Sequence, residues 1–91
     1  MDASAFEAAL KADGFGEIER KTAAANVVNK AHTHPFDVRL MVLEGEMTVT
    51  AEGVPHTCRS GDTFAMQAGC QHFESYGPEG STYIAGRKQP A

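Results

Sequence analysis

The stretch His32-Thr33-His34-Pro35-Phe36-Asp37-Val38-Arg39-Leu40-Met41-Val42-Leu43-Glu44-Gly45-Glu46 places a His-x-His pair just ahead of the most strongly apolar segment of the chain. Residues 38–43 are rich in large aliphatic side chains and are closed by Gly45, so they read as a strand. This strand is apolar at consecutive positions. A half-buried antiparallel strand alternates, so the run predicts cover on both faces: one inside a barrel, the other under the N-terminal segment or a second subunit. A chain this small has little else to lay over an outer face, which favours a homodimer, with cover by the chain's own N-terminal segment as the alternative.

Working outward, short strand patterns recur on both sides. Residues 17–24 and 26–31 are weaker candidates, and 47–51 follow what reads as a Glu44-Gly45-Glu46 turn. Residues 54–58, 63–66, 71–76 and 82–85 complete the series. Their punctuation, Gly53, Ser60-Gly61, Ala68-Gly69 and Gly77-Pro78-Glu79-Gly80, arrives every eight to eleven residues, the rhythm of an all-β sandwich or barrel. Ahead of the strands, Phe6, Ala9 and Leu10 recur at helical spacing, with Ser4 as the expected cap, Glu7 three residues on and Gly14 as the stop. Residues 1–16 are thus expected as a helical attachment and 17–91 as the barrel, in one structural domain overall.

Lysine and arginine total eight against twelve acidic residues in a chain of 91, with no basic block, so a nucleic acid is not the expected partner. Leu40-Met41-Val42-Leu43 falls far short of the roughly 20 residues of a bilayer span. Met1-Asp2-Ala3-Ser4 opens acidic with no apolar run behind it, which reads as a cytoplasmic protein without an export signal. In that setting Cys58 and Cys70 are expected as reduced, small buried residues. His56 is expected to be exposed and Arg39 to pair with a nearby acid.

His72 lies 38 residues after His34, beside its own glycine-punctuated strand. Three imidazoles gathered by a small barrel hold one divalent metal and leave coordination positions open for chemistry.

In these residues the chain resembles the cupin superfamily. His32-x-His34, Val38 and Gly45 are similar to the first motif of that family, and Gly61-Asp62, Gly69 and His72 to the second, with fifteen residues between the two. The resemblance spans 26–76 and implies a single RmlC-like jelly-roll β-barrel of six to eight strands, a metal inside it, and commonly a dimer. Departures accompany the matches: Asn26 stands for a glycine, Gln67 for a proline and Tyr76 for an asparagine. The consequential one is Val38, where the family carries a metal-ligating glutamate. Carry-over therefore yields three ligands, His32, His34 and His72.

Asp37 is a candidate fourth ligand only if a bulge at Pro35-Phe36 turns it back toward the histidines, because at offset three from His34 it otherwise faces away; a surface or turn role is the alternative. Glu74 and Tyr76 share the face of His72 by strand alternation and are the candidate catalytic residues. Glu74 would act as a hydrogen-bond acceptor for a histidine or as a general base, Tyr76 as a proton donor; a merely solvated Glu74 is the other reading. Leu40, Val42, Phe64, Met66 and Cys70 are expected to line the pocket. The expected cofactor is a divalent transition metal, iron, nickel, zinc or manganese, and imidazole ligands alone do not decide among them. The expected function is a small metalloenzyme of dioxygenase or isomerase type acting on a compact oxygenated molecule. A non-catalytic ligand- or metal-binding module and a scaffold with a vestigial site are the alternatives.

Overall fold

A computed structural model describes residues 2–90. Helix α1 (Ala3–Ala12) is followed by strands β1 (Gly16–Ala23), β2 (Asp37–Ala51), β3 (Val54–Arg59), β4 (Thr63–Met66) and β5 (His72–Lys88). All pairings are antiparallel, in the order β1-β5-β2-β3, with β4 lying against the first half of β2. The fold is mostly β with one short helix. Among the described residues the sheet does not close on itself, so the closed barrel implied by the resemblance is replaced by an open five-stranded sheet.

The strand count falls because two glycine clusters expected to reverse the chain lie inside strands. β2 and β5 pair along their whole length, and the register shifts on both sides of Glu44-Gly45: Gly45 faces Ser81, whereas Met47 already faces Tyr76. Gly77-Pro78-Glu79-Gly80 is therefore extra chain on β5, a bulge that bends both strands together. Glycine is required there. Gly45 and Gly80 have φ of +75° and +73°, and a Cβ on Gly45 would overlap the backbone of Gly80.

The bulge also resets side-chain parity. Before it Leu40 and Val42 point inward; after it Met47 and Val49 do, and all four share one core cluster with Cys58, Met66 and Tyr76. A strand without an inserted residue would have sent one pair to the opposite face. Met41 and Ile84 point the other way, into a second cluster with Phe6, Leu10 and Phe15. The two-sided burial expected of residues 38–43 is present, and the chain's own helix supplies the outer cover. Met41 is only 1% exposed in the single chain, so this strand does not call for a second subunit.

α1 is capped two residues earlier than expected. Asp2 is its N-cap, with Oδ1 accepting from the Ala5 N–H at 2.8 Å, so Ser4 falls within the first turn. Gly14, at φ +82°, ends it as anticipated. Residues 26–31 form no strand; this segment meets β5 through the isolated bridge of Val28 with Ser75 and through backbone bonds from Asn26 N–H to Gly77 O, Asn29 N–H to Glu74 O and Tyr76 N–H to Val27 O. Arg39 pairs with Asp13 at 2.6 Å, His56 is exposed, and both cysteines are unbridged.

Candidate metal centre

The three histidines come from two places. His72 opens β5 and is 3% exposed; His32 and His34 ride on the segment beside it. That segment is fixed by reciprocal backbone bonds, His32 N–H to His72 O at 2.8 Å and His72 N–H to His32 O at 3.0 Å. The Gly69 N–H donates to His34 O at 2.9 Å, tying the turn ahead of β5 to the same segment. These links carry the His-x-His pair to the start of β5 and bring one ligand atom of each of the three rings within 4.8 Å of the others.

Tautomers follow from the backbone. His32 Nδ1 lies 2.6 Å from Lys30 O and His72 Nδ1 lies 2.9 Å from Cys70 O. A carbonyl only accepts, so in the neutral rings both Nδ1 atoms carry the proton and both Nε2 lone pairs remain available to a metal. His72 Nε2 is buried without a hydrogen-bond partner. The pKa of His34 is lowered, first by burial, then by the charges of His32 and His72, partly offset by Glu74. Its neutral, ligand-competent form therefore persists to lower pH than an ordinary histidine's. Phe36 stacks on His34 with ring centroids 4.8 Å apart, and the Arg87 guanidinium lies 4.6 Å from the centre of the Phe36 ring.

Beneath the histidines is a cavity of about 70 Å³. Leu40 and Met66 line it, together with Val38 from the position where a glutamate was expected. Val42 is fully buried in the core behind it, and Phe64 and Cys70 border a separate open depression with Glu52. Lys21, Phe36, Tyr83 and Arg87 also line the cavity and were not singled out from the sequence. Tyr83 and Arg87 reach it as the cross-strand partners of Val42 and Val38, a register that follows from the β2–β5 pairing and not from spacing along either strand.

Asp37 lies apart from the cluster. Its Oδ1 accepts from the Ala68 N–H at 2.8 Å, which fixes the turn after β4, and Asp37 is not among the residues whose ligand atoms converge with the histidines. Glu74 does reach them: Oε2 lies 3.6 Å from His32 Nε2 and Oε1 lies 3.9 Å from His72 Nε2. Tyr76 shares the inward direction but is packed in the core, stacked on Tyr83 at 6.4 Å between centroids. Burial, then the Tyr83 hydroxyl and the Glu74 carboxylate, push its phenol well above the usual value.

Among curated proteins no sequence match was found. In solved structures the fold recurs in an RmlC-like cupin from Shewanella frigidimarina, at 22% identity and TM-score 0.72, covering 80% of this chain and 65% of that one. A protein of unknown function from Rhizobium leguminosarum matches at 22% identity and TM-score 0.75, covering 80% and 69%. A mutant of salicylate 1,2-dioxygenase from Pseudoaminobacter salicylatoxidans matches at 19% identity and TM-score 0.73, covering 78% of this chain but 22% of the enzyme. The chain thus spans about two thirds of the first two and about a fifth of the dioxygenase, and identities of this size speak to the fold alone. The sequence profile of the EutQ-like cupin domain matches residues 22–80, well over half of the chain, so the histidine cluster sits in a protein that belongs to the EutQ-like cupin domain family.

Proposed function

We propose that this chain is a small metal-binding cupin that holds iron, nickel, zinc or manganese through His32, His34 and His72 and acts on a compact oxygenated molecule. The observation that carries the reading is the convergence of three ring nitrogens within 4.8 Å, one of them buried with no partner. Such a nitrogen costs about 1–3 kcal/mol when left unpaired, and a metal ion supplies the missing interaction. When bound, the metal supplies Lewis-acid polarisation of a substrate oxygen or, as iron, dioxygen chemistry.

The chain's own residues supply the rest. The carbonyls of Lys30 and Cys70 hold the imidazoles in the tautomer that leaves Nε2 available. Leu40 and Met66 exclude water from the inner wall. A cavity of about 70 Å³ admits only a few light atoms, well below the ~300 Å³ and more of a site enclosing a drug-sized ligand. The substrate is therefore small or enters by one end, and Lys21 and Arg87 along the same wall suit a carboxylate. A cytoplasmic location and a homodimer belong to this reading; with α1 covering the outer face, the dimer rests on the family resemblance, and light scattering tests it.

Elemental analysis of the gently purified protein beside His34→Ala and His72→Ala tests the metal. One metal per chain, lost in both variants, supports the reading. No metal, even after anaerobic reconstitution with the four candidates, would overturn it. A second reading, a non-catalytic binding module, is favoured by the small cavity and by Val38 in place of a ligating carboxylate. Dioxygen uptake by the iron-loaded protein with small carboxylic acids, diketones or thiols separates the two: ligand binding without turnover supports the module.

A further inference from the structure

We propose that Glu74 is a fourth metal ligand, delivering from β5 the carboxylate that position 38 of β2 lacks. The inference rests on the metal-binding reading above and names a ligand that the three-histidine reading omits. Glu74 pairs across the sheet with Val49, a fully buried core residue, so the carboxylate is directed inward, and its side chain is 15% exposed. The backbone of Glu74 is clamped to the His-x-His segment. Its N–H donates to Asn29 Oδ1 at 2.7 Å, and its carbonyl accepts from the Asn29 N–H at 3.1 Å. The side chain consequently has a fixed origin beside His32.

The polar atoms around it are arranged for an ion. Glu74 Oε2 and His72 Nε2 are both buried and both lack a hydrogen-bond partner. The carboxylate faces His32 Nε2 at 3.6 Å and His72 Nε2 at 3.9 Å, too far for hydrogen bonds. With Nδ1 of each ring donating to a carbonyl, these nitrogens present lone pairs to an acceptor-only carboxylate. Lone pairs converging on lone pairs repel unless a cation lies among them. Metal bonds of about 2.0–2.2 Å set neighbouring ligand atoms ~3–3.5 Å apart, close to the observed separations. A carboxylate also offsets half the charge of a divalent ion that three neutral imidazoles leave uncompensated. Val38 lines the same cavity as Glu74, so a carboxylate at either position addresses the same space.

The test is titration of the metal-free protein with cobalt(II) against a competing chelator, with the visible absorption of the bound ion recorded alongside. Wild type, His72→Ala, Glu74→Gln and the double variant Val38→Glu/Glu74→Gln are compared. Expected are one cobalt per wild-type chain and at least about 100-fold weaker binding by Glu74→Gln, beyond the ~10–100-fold typical of an outer-sphere partner. Its absorption bands shift, and the double variant regains affinity. Glu74→Gln with wild-type affinity and bands, while His72→Ala binds nothing, would overturn the role of Glu74 and leave the histidine site standing. Weakened binding with unchanged bands and no rescue would also overturn it, reducing Glu74 to a charge partner of the imidazoles. Failure of the wild type to bind cobalt overturns both readings together. Should Glu74→Gln not fold, Glu74→Asp is read by the same two signals.

Discussion

Gly45→Ala isolates the cost of the bulge that bends β2 and β5. Two penalties combine. A non-glycine residue at φ +75° costs about 1–2 kcal/mol. Its Cβ would also lie well inside the 3.0 Å limit of real contacts from Gly80 O, with Gly80 C and Ser81 Cα close behind. All three are backbone atoms, so no rotamer change relieves the overlap and the two strands must part, at a further ~1–3 kcal/mol. The total of about 2–5 kcal/mol is a large part of the ~5–14 kcal/mol expected of a domain this size. Gly53→Ala is the control, since Gly53 has φ +82° but nothing within 4 Å of its Cβ, and it carries the backbone term alone. Urea unfolding followed by far-ultraviolet circular dichroism should place Gly45→Ala about 1–3 kcal/mol below Gly53→Ala, or roughly 10 °C in Tm. Equal destabilisation of the two variants would refute the close approach of β2 and β5 at the bulge.

The other predictions concern the helix face, the site and its surroundings. Met41→Ala, beneath α1, should cost about 2–5 kcal/mol in the same assay, as a cavity among Phe6, Leu10 and Ile84. Asp37→Ala should leave metal stoichiometry unchanged and cost about 1 kcal/mol through the lost bond to the Ala68 N–H. For the metal-free protein, His34 titrates below 6.5 when folded, so the unfolded chain takes up its proton first. Its contribution is complete above 6.5 and is lost as pH falls toward the lowered folded value; His34→Gln should flatten that slope in urea midpoints measured from pH 8 to 5. Burial raises the thiol pKa of Cys58, with Asp62 adding, and that of Cys70, with Glu52 adding. Iodoacetamide at neutral pH should therefore modify both slowly, Cys58 chiefly after unfolding, as read by mass spectrometry.

The sequence made local structure legible where one signal had one meaning. Thr63–Met66 is the strand expected, and the double apolar face of residues 38–43 announced two layers of packing. Glycine signals were ambiguous because a turn and a bulge demand the same positive φ. Only the partner strand decides, and the partner of Gly45 lies some thirty-five residues away at Gly80-Ser81. What covers Met41 was likewise a tertiary question, settled by the docking of Phe6 and Leu10. At the site, alternation along β5 placed Glu74 beside His72, whereas it could not apply from His34 to Asp37 because β2 begins only at Asp37, and spacing could not tell a cavity wall such as Leu40 from the deeper Val42. A carboxylate ligand was sought at positions 37 and 38 because pattern reading works along one strand, whereas the carboxylate oxygens beside the histidines belong to Glu74 on another.

His32 and His34 sit outside every named strand, on a segment joined to β5 by isolated bridges, while His72 opens the central strand itself. An ion shared by these residues would therefore act as a clasp between a margin outside the named strands and the middle of the sheet. Part of its binding free energy would go into holding the margin closed, so affinity for the ion and local opening of residues 26–34 would become one thermodynamic quantity read from two sides. A substitution that loosens Asn29 or Val28 would then weaken the ion's hold without touching a ligand, and loading the ion would slow amide exchange at the margin far more than in residues 47–51.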